Sequence, residues 1–222
     1  MLYRSTEWGT GAKIGLATSA NGITWAKNAG NPVISPAVGS WEAGGTGIDP
    51  AGIMKIGATY YLWMNNVGII PRQTGLLTST DLVNWSRDAN NPIFTGGRYC
   101  TAPIKHGTYY YMFVPYTPAG SPVTYPLNGR IEVYRDTNPT FYAADRSYLG
   151  YVLLAGAQGA WDSTYLDTPS ILTTDITRDT TPTGTTIQMY YSGRVSVSTF
   201  TTGLATGTFS ELEKLVPQVC PE

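Results

Sequence analysis

The strongest constraint on this chain is a spacing. Ile14-Gly15-Leu16-Ala17-Thr18-Ser19 recurs as Thr74-Gly75-Leu76-Leu77-Thr78-Ser79, Trp25 recurs as Trp85, and Asn31-Pro32-Val33-Ile34 recurs as Asn91-Pro92-Ile93-Phe94. All three matches keep one offset of sixty residues. A fixed offset of this kind marks a supersecondary unit that is copied and stacked, not a single irregular core. The complete copy spans residues 44–85. It opens with Asp49-Pro50 and an apolar run over 51–56, turns at Gly57, and continues through the aromatic run Thr59-Tyr60-Tyr61-Leu62-Trp63-Met64. Gly75 to Ser79 and Val83-Asn84-Trp85 complete it. Four short β-rich runs separated by turn residues predict a four-stranded antiparallel unit.

The aromatic run returns as Tyr109-Tyr110-Tyr111-Met112-Phe113 and as Ile187-Gln188-Met189-Tyr190-Tyr191. Each follows an apolar run with a proline, Ala102-Pro103-Ile104 and Pro169-Ser170-Ile171-Leu172, and each precedes a third strand, at 130–134 and 195–206. Units therefore begin near Asp49, Cys100 and Asp167. Residues 2–27 carry only the later part of a unit, since Tyr3-Arg4-Ser5 aligns with Trp63-Met64-Asn65 at the same offset. Its first strand is expected from the tail, residues 212–219. This pattern predicts an all-β chain forming one β-propeller domain over 1–222, its ring closed by pairing of the N- and C-terminal segments. The repeat count gives four blades, or five if residues 141–158 supply another. A closed ring is a monomer; an open one pairs its edges in a homodimer.

Composition narrows the partners. Only 13% of residues are charged and the net charge is −1, which gives no electrostatic case for nucleic acid or an anionic membrane. No apolar run reaches membrane-spanning length, and the first residues, MLYRSTEWGTG, show no signal-peptide pattern, although the composition suits a secreted protein. Sixteen Tyr and six Trp fit either core packing or the stacking of flat rings on sugar faces. Cys100 and Cys220 lack metal-ligand spacing and are read as one bridge near the chain end or as free thiols. No metal or cofactor is demanded. His106, the only histidine, lies in Lys105-His106-Gly107-Thr108 and is expected in a surface hairpin turn.

In a propeller, the starts of the inner strands line one end of the central channel. Here those positions are Asp49, Cys100 with Thr101, and Asp167. Two carboxylates from different blades facing one funnel suit glycoside hydrolysis, one acting on water and one near the leaving oxygen. The structural alternative is that each aspartate, next to a Pro or Thr-Pro, simply starts its strand. Trp41, Trp63 and Trp161 are expected near the channel mouth as sugar-stacking rings, with Thr101 beside them. Trp25 and Trp85 read as blade-packing residues.

These motifs resemble the five-bladed propeller glycosidases of glycoside hydrolase family 43 and their relatives in families 32, 62 and 130. The similar text is Asp49-Pro50 before Tyr60-Tyr61-Leu62, the blade ending Ser79-Thr80-Asp81-Leu82-Val83-Asn84-Trp85, Ala102-Pro103 before Tyr109-Tyr110-Tyr111, and Leu166-Asp167-Thr168-Pro169 before Met189-Tyr190-Tyr191. The segment from Ala17-Thr18-Ser19 to Gly22 and Trp25 is similar to the corresponding text of families 32 and 130. The resemblance implies Asp49 as general base and Asp167 as the aspartate that tunes and orients the acid. It also implies a glutamate acid at a further inner-strand start, where this chain departs from the pattern because Thr101 stands at one such start. Glu213 or Glu211 takes the role if the tail forms the closing inner strand; Glu42 and Glu7 are weaker choices. The implied function is inverting hydrolysis of arabinose-, xylose- or fructose-type glycans, with an oligo- or polysaccharide as partner. The alternatives are a non-catalytic carbohydrate-binding propeller and a protein-binding scaffold.

Overall fold

The computed structural model describes residues 1–7, 11–42, 45–117, 129–157, 159–163, 165–173, 186–196 and 199–219. Almost all regular structure in them is β. The first unit holds β1 (Leu2–Glu7), β2 (Gly11–Thr18) and β3 (Ala26–Lys27). The second holds β4 (Gly47–Ile56), β5 (Thr59–Val67), β6 (Thr74–Ser79) and β7 (Ser86–Arg87). The third holds β8 (Ala102–His106), β9 (Tyr109–Tyr116), β10 (Arg130–Asp136) and β11 (Ser147–Leu154), and the fourth holds β12 (Tyr165–Thr173), β13 (Thr186–Ser196) and β14 (Thr199–Thr208). Within each unit neighbouring strands pair antiparallel in sequence order. The first two units also meet through one parallel contact, Ala12 against Gly47. A Cβ at Gly47, where φ is +124°, would fall 2.0 Å from the Ala12 nitrogen, so only glycine permits that approach.

The sixty-residue repeat is physical as well as textual. Asn31 accepts the Leu16 N–H at 2.8 Å and donates to the Leu16 carbonyl at 3.0 Å; Asn91 does the same for Leu76 at 2.7 and 2.9 Å. Ser19 with Asn21, and Ser79 with Asp81, close matching turns through side-chain bonds to backbone N–H groups. In those turns the indole N–H of Trp25 donates to the Gly22 carbonyl and that of Trp85 to the Leu82 carbonyl. The two tryptophans thus clamp turns, Trp85 also packing against a core while Trp25 is largely exposed.

Strand alternation explains how the units stack. In β5, Leu62 and Met64 pack with Ile14 and Ile34 of the first unit, while Trp63 points the other way, toward Met112 and Tyr134 of the third. In β9, Tyr110, Met112 and Val114 face the second unit, and Tyr111 and Phe113 face Ile187, Met189 and Tyr191 of the fourth. β5 and β9 therefore bury both faces, which is why their runs are apolar throughout and not alternating.

The C-terminal segment departs from expectation. Residues 212–219 form no strand and do not pair with β1. A short helix, α1 (Phe209–Glu213), starts from Thr208 in a capping box with Glu211. Phe209 and Leu212 enter the core between the third and fourth units, and the Gln218 N–H donates to the Tyr148 carbonyl of β11. Among the described residues β1 pairs only with β2. Among the described residues of 141–158 the one strand is β11, the outermost of the third unit, and not a further unit.

The duplicated asparagine contact makes a test. Asn91→Ala and Asn31→Ala each strip partners from a backbone N–H and C=O in the unit interior and should each cost about 1–3 kcal/mol in denaturant unfolding. Because the two sites lie in different units, the double variant should lose the sum of the two within about 0.5 kcal/mol.

Candidate active site

The three inner strands β4, β8 and β12 lie side by side, β4 against β8 and β8 against β12. Gly52 allows the first contact, since a Cβ there would fall 2.3 Å from Pro103 Cδ. Each strand is kinked where it begins. The β4 register shifts just after Asp49, between Pro50 and Gly52. Cys100, before β8, has φ +53°, and Thr168 has φ +42° inside the shift that follows Asp167 in β12. Bulges and left-handed residues of this kind re-aim a side chain at the end of a sheet. Here they gather Asp49, Cys100, Thr101 and Asp167.

Asn65 of β5 holds the strained residue in place. Its Oδ1 accepts the Cys100 N–H at 3.0 Å and the Thr74 hydroxyl at 2.8 Å, and its Nδ2 lies 3.5 Å from the Cys100 Sγ. Cys100 is a free thiol, and burial and the neighbouring Asp167 push its pKa well up, so it is held protonated. Cys220 lies outside the described residues. Thr101 is buried, and its hydroxyl has no hydrogen-bond partner among the described residues.

The two aspartates differ in surroundings. Asp167 is buried; its carboxylate accepts the Thr168 N–H at 2.8 Å and the Tyr99 hydroxyl at 3.3 Å, with Arg194 Nη2 3.6 Å away. Asp49 sits 2.9 Å from Arg4 Nε through Oδ1 and accepts from Arg4 Nη1 at 3.3 Å through Oδ2. The Oδ1 contact has poor hydrogen-bond geometry, which leaves that buried oxygen without a bonded donor among the described residues. Burial raises the Asp49 pKa; the Arg4 and Arg72 charges oppose the rise and the Asp167 charge adds to it. Asp49 and Asp167 thus share one electrostatic environment although they come from different units.

The other expected site residues fall elsewhere. Glu213 is on α1, 3.1 Å from His106 Nε2. His106 ends β8, five residues beyond Thr101 and so about 17 Å along the strand, which removes Glu213 from the aspartates. His106 itself is buried and stacked on Phe209 at 4.0 Å, not exposed in a turn, because α1 covers the end of the hairpin. Glu211 caps α1, and Glu42 is buried against Arg87 at 2.7 Å. The Glu7 side chain lies outside the described residues. Trp63 is fully buried between Tyr61 and Phe141 and is a core residue, because it sits on the face of β5 that meets the third unit. Trp41 is half-buried with its ring against Gly75, where it seals the loop before β4. Trp161 remains 38% exposed, stacked on Tyr191 at 5.5 Å over Gly193 and Gly203 of the last unit. Arg4 of β1, Arg194 of β13, and Arg72 and Tyr99 from loops were not legible at this place, because the repeat marks strands and turns and not which side chains reach the inner-strand starts.

Solved structures share this architecture over most of the chain. The β-1,2-mannobiose phosphorylase of Listeria innocua matches 87% of this chain with a TM-score of 0.63 and 19% identity. A glycosyl hydrolase from Bacteroides ovatus matches 97% with a TM-score of 0.63 and 14% identity, and the GH32 β-fructofuranosidase of Bombyx mori matches 91% with a TM-score of 0.57 and 15% identity. The chain shares the fold of these glycoside hydrolases and of the phosphorylase. The chain spans 48% of the phosphorylase, 65% of the Bacteroides protein and 47% of the fructofuranosidase. No family model matches the sequence, and no curated protein matches it.

The raised Asp49 pKa has a stability consequence with a definite sign. The folded chain holds this proton more tightly than the unfolded chain, so the favourable contribution is complete below the ordinary value of 3.8 and is lost as pH rises through the folded pKa. Asp49→Asn removes that loss. In thermal unfolding from about pH 3.5 to about pH 7, the variant should gain stability relative to wild type as pH rises. The opposite trend would mean that the half-exposed Arg4 pair outweighs burial.

Proposed function

We propose that the chain is a glycoside-hydrolase-like protein that takes an oligo- or polysaccharide where Asp49, Thr101 and Asp167 meet. The observation that carries this reading is the pairing of two carboxylates from separate units in one environment that raises the pKa of one of them. With a raised pKa, the Asp49 carboxylate is a stronger base than an exposed aspartate. In this reading the Asp49 carboxylate, held on one side by Arg4, takes the proton from water attacking the anomeric carbon. Burial is the main source of that basicity; Asp167, fixed by Thr168 and Tyr99, adds a smaller push and orients the sugar. Direct attack by water inverts the anomeric centre. Arabinose-, xylose- and fructose-type glycans are the substrates proposed. Mannosides belong in the same panel because a mannobiose phosphorylase shares the fold.

A second reading is carbohydrate binding without cleavage. It is favoured by Thr101 at the start of β8 and by the engagement of Glu42, Glu132, Glu211 and Glu213 elsewhere, which leaves no glutamate of the described residues placed as the acid. Loss of a general acid costs on the order of 10²- to 10⁴-fold, enough to separate an enzyme from a binder.

Hydrolysis of arylated pentosides and mannosides discriminates the two, since a good leaving group needs little acid assistance. If Asp49 is the base, Asn at that position should lower the rate by about 10²- to 10⁴-fold while calorimetric affinity for oligosaccharide stays within about threefold. Binding by the wild type with no release of product from any glycoside tested would leave the non-catalytic reading and remove the hydrolytic one.

A further inference from the structure

This inference rests on the glycan-binding reading above and concerns the class of sugar. Three guanidinium groups meet two carboxylates at the inner-strand starts. Arg4 is taken by Asp49 at 2.9 Å. Arg194 lies 3.6 Å from Asp167 and is flanked by the Tyr165 and Phe200 rings at 4.4 and 4.5 Å. Arg72 has no carboxylate at ion-pair distance among the described residues, yet it is held in place. Its guanidinium lies 4.6 Å from the centre of the Tyr99 ring, and the hydroxyl of that ring donates to Asp167. One aromatic side chain thus spans the gap between Arg72 and the buried carboxylate. The backbone is fixed too: the Arg72 carbonyl accepts the Gly97 N–H at 3.1 Å, and the next N–H, of Gln73, donates to Asn66 at 2.9 Å.

The charge at this end of the inner strands does not balance. Tyr99 and Cys100 are kept protonated by burial and by Asp167, so neither adds a negative charge at neutral pH. Three guanidiniums against two carboxylates leave one positive charge in excess, on the arginine that is stacked but unpaired. A guanidinium held over a ring keeps N–H donors to offer, and its planar fork matches the two oxygens of a carboxylate or sulfate in a bidentate contact. A neutral sugar would leave this half-buried cation unmatched; a sugar with one negative charge completes the set.

We propose that the glycan received at this site carries an anionic group, a carboxylate or a sulfate ester, and that Arg72 is the residue that binds it. The direct test is calorimetry of the wild type with three probes: neutral xylo-oligosaccharides, the same oligosaccharides bearing glucuronate, and sulfated oligosaccharides. At least one acidic probe should bind about tenfold or more tightly than the neutral one, as expected for a charge-assisted contact, and the advantage should shrink with added salt. Whichever acidic probe gains identifies the group. Arg72→Met should remove most of that preference, and Arg72→Lys should keep part of it. Neutral binding as tight as acidic binding, or a preference that survives Arg72→Met, would overturn the inference while leaving the glycan reading in place. No binding of any of the three overturns both. Inorganic sulfate that binds as tightly as the sulfated glycan would also overturn it, by showing an anion site with no sugar selectivity. The comparison of probes on the wild type stands whether or not either variant folds.

Discussion

The structure depends on middle strands that bury both of their faces. β5 and β9 each send alternate residues into two different cores, so the second and third units are each packed on both sides by a neighbour. Apolar burial at about 25 cal/mol per Å² makes this the dominant favourable contribution. It also fixes geometry, because units stacked through their middle strands set their inner strands edge to edge. The starts of β4, β8 and β12 come together for that reason, and the carboxylates carried there are drawn into a shared, poorly solvated place. The site follows from the packing of residues that never touch it.

The fold was legible because the repeat carries its own punctuation. Asn31 and Asn91, the Ser19 and Ser79 turns and the Trp25 and Trp85 clamps stand at one offset and make the same contacts, so local chemistry and text agree. The inner-strand aspartates were legible too, as residues preceding prolines at the head of apolar runs. The tail was not. Residues 209–215 contain Phe209, Leu212 and Leu215, a spacing equally readable as part of a strand or as one face of a helix, and the capping box from Thr208 to Glu211 decides for the helix. That choice takes Glu213 to the His106 end of β8, away from the aspartates. Trp63 misled for a related reason: alternation tells which residues share a face, not which face meets solvent when both are buried.

Electrostatics give the site its character. Asp49 sits where burial favours its neutral form, opposed by the charges of Arg4 from β1 and Arg72 from the loop before β6, while Arg194 of β13 lies 3.6 Å from Asp167. Such an arrangement spends stability on poised ionisable groups. The strained backbone at Cys100 and Thr168 lies at the same positions, consistent with a region shaped by something other than stability.

The central claim is that aspartates from two separate units act on each other across one site. Carboxyl-carbon NMR titration of the wild type and of Asp167→Asn measures that interaction directly. The account predicts an Asp49 midpoint above the ordinary 3.8 in the wild type and a downward displacement when the Asp167 charge is removed. An Asp49 midpoint at its ordinary value, unmoved by the substitution, would contradict it.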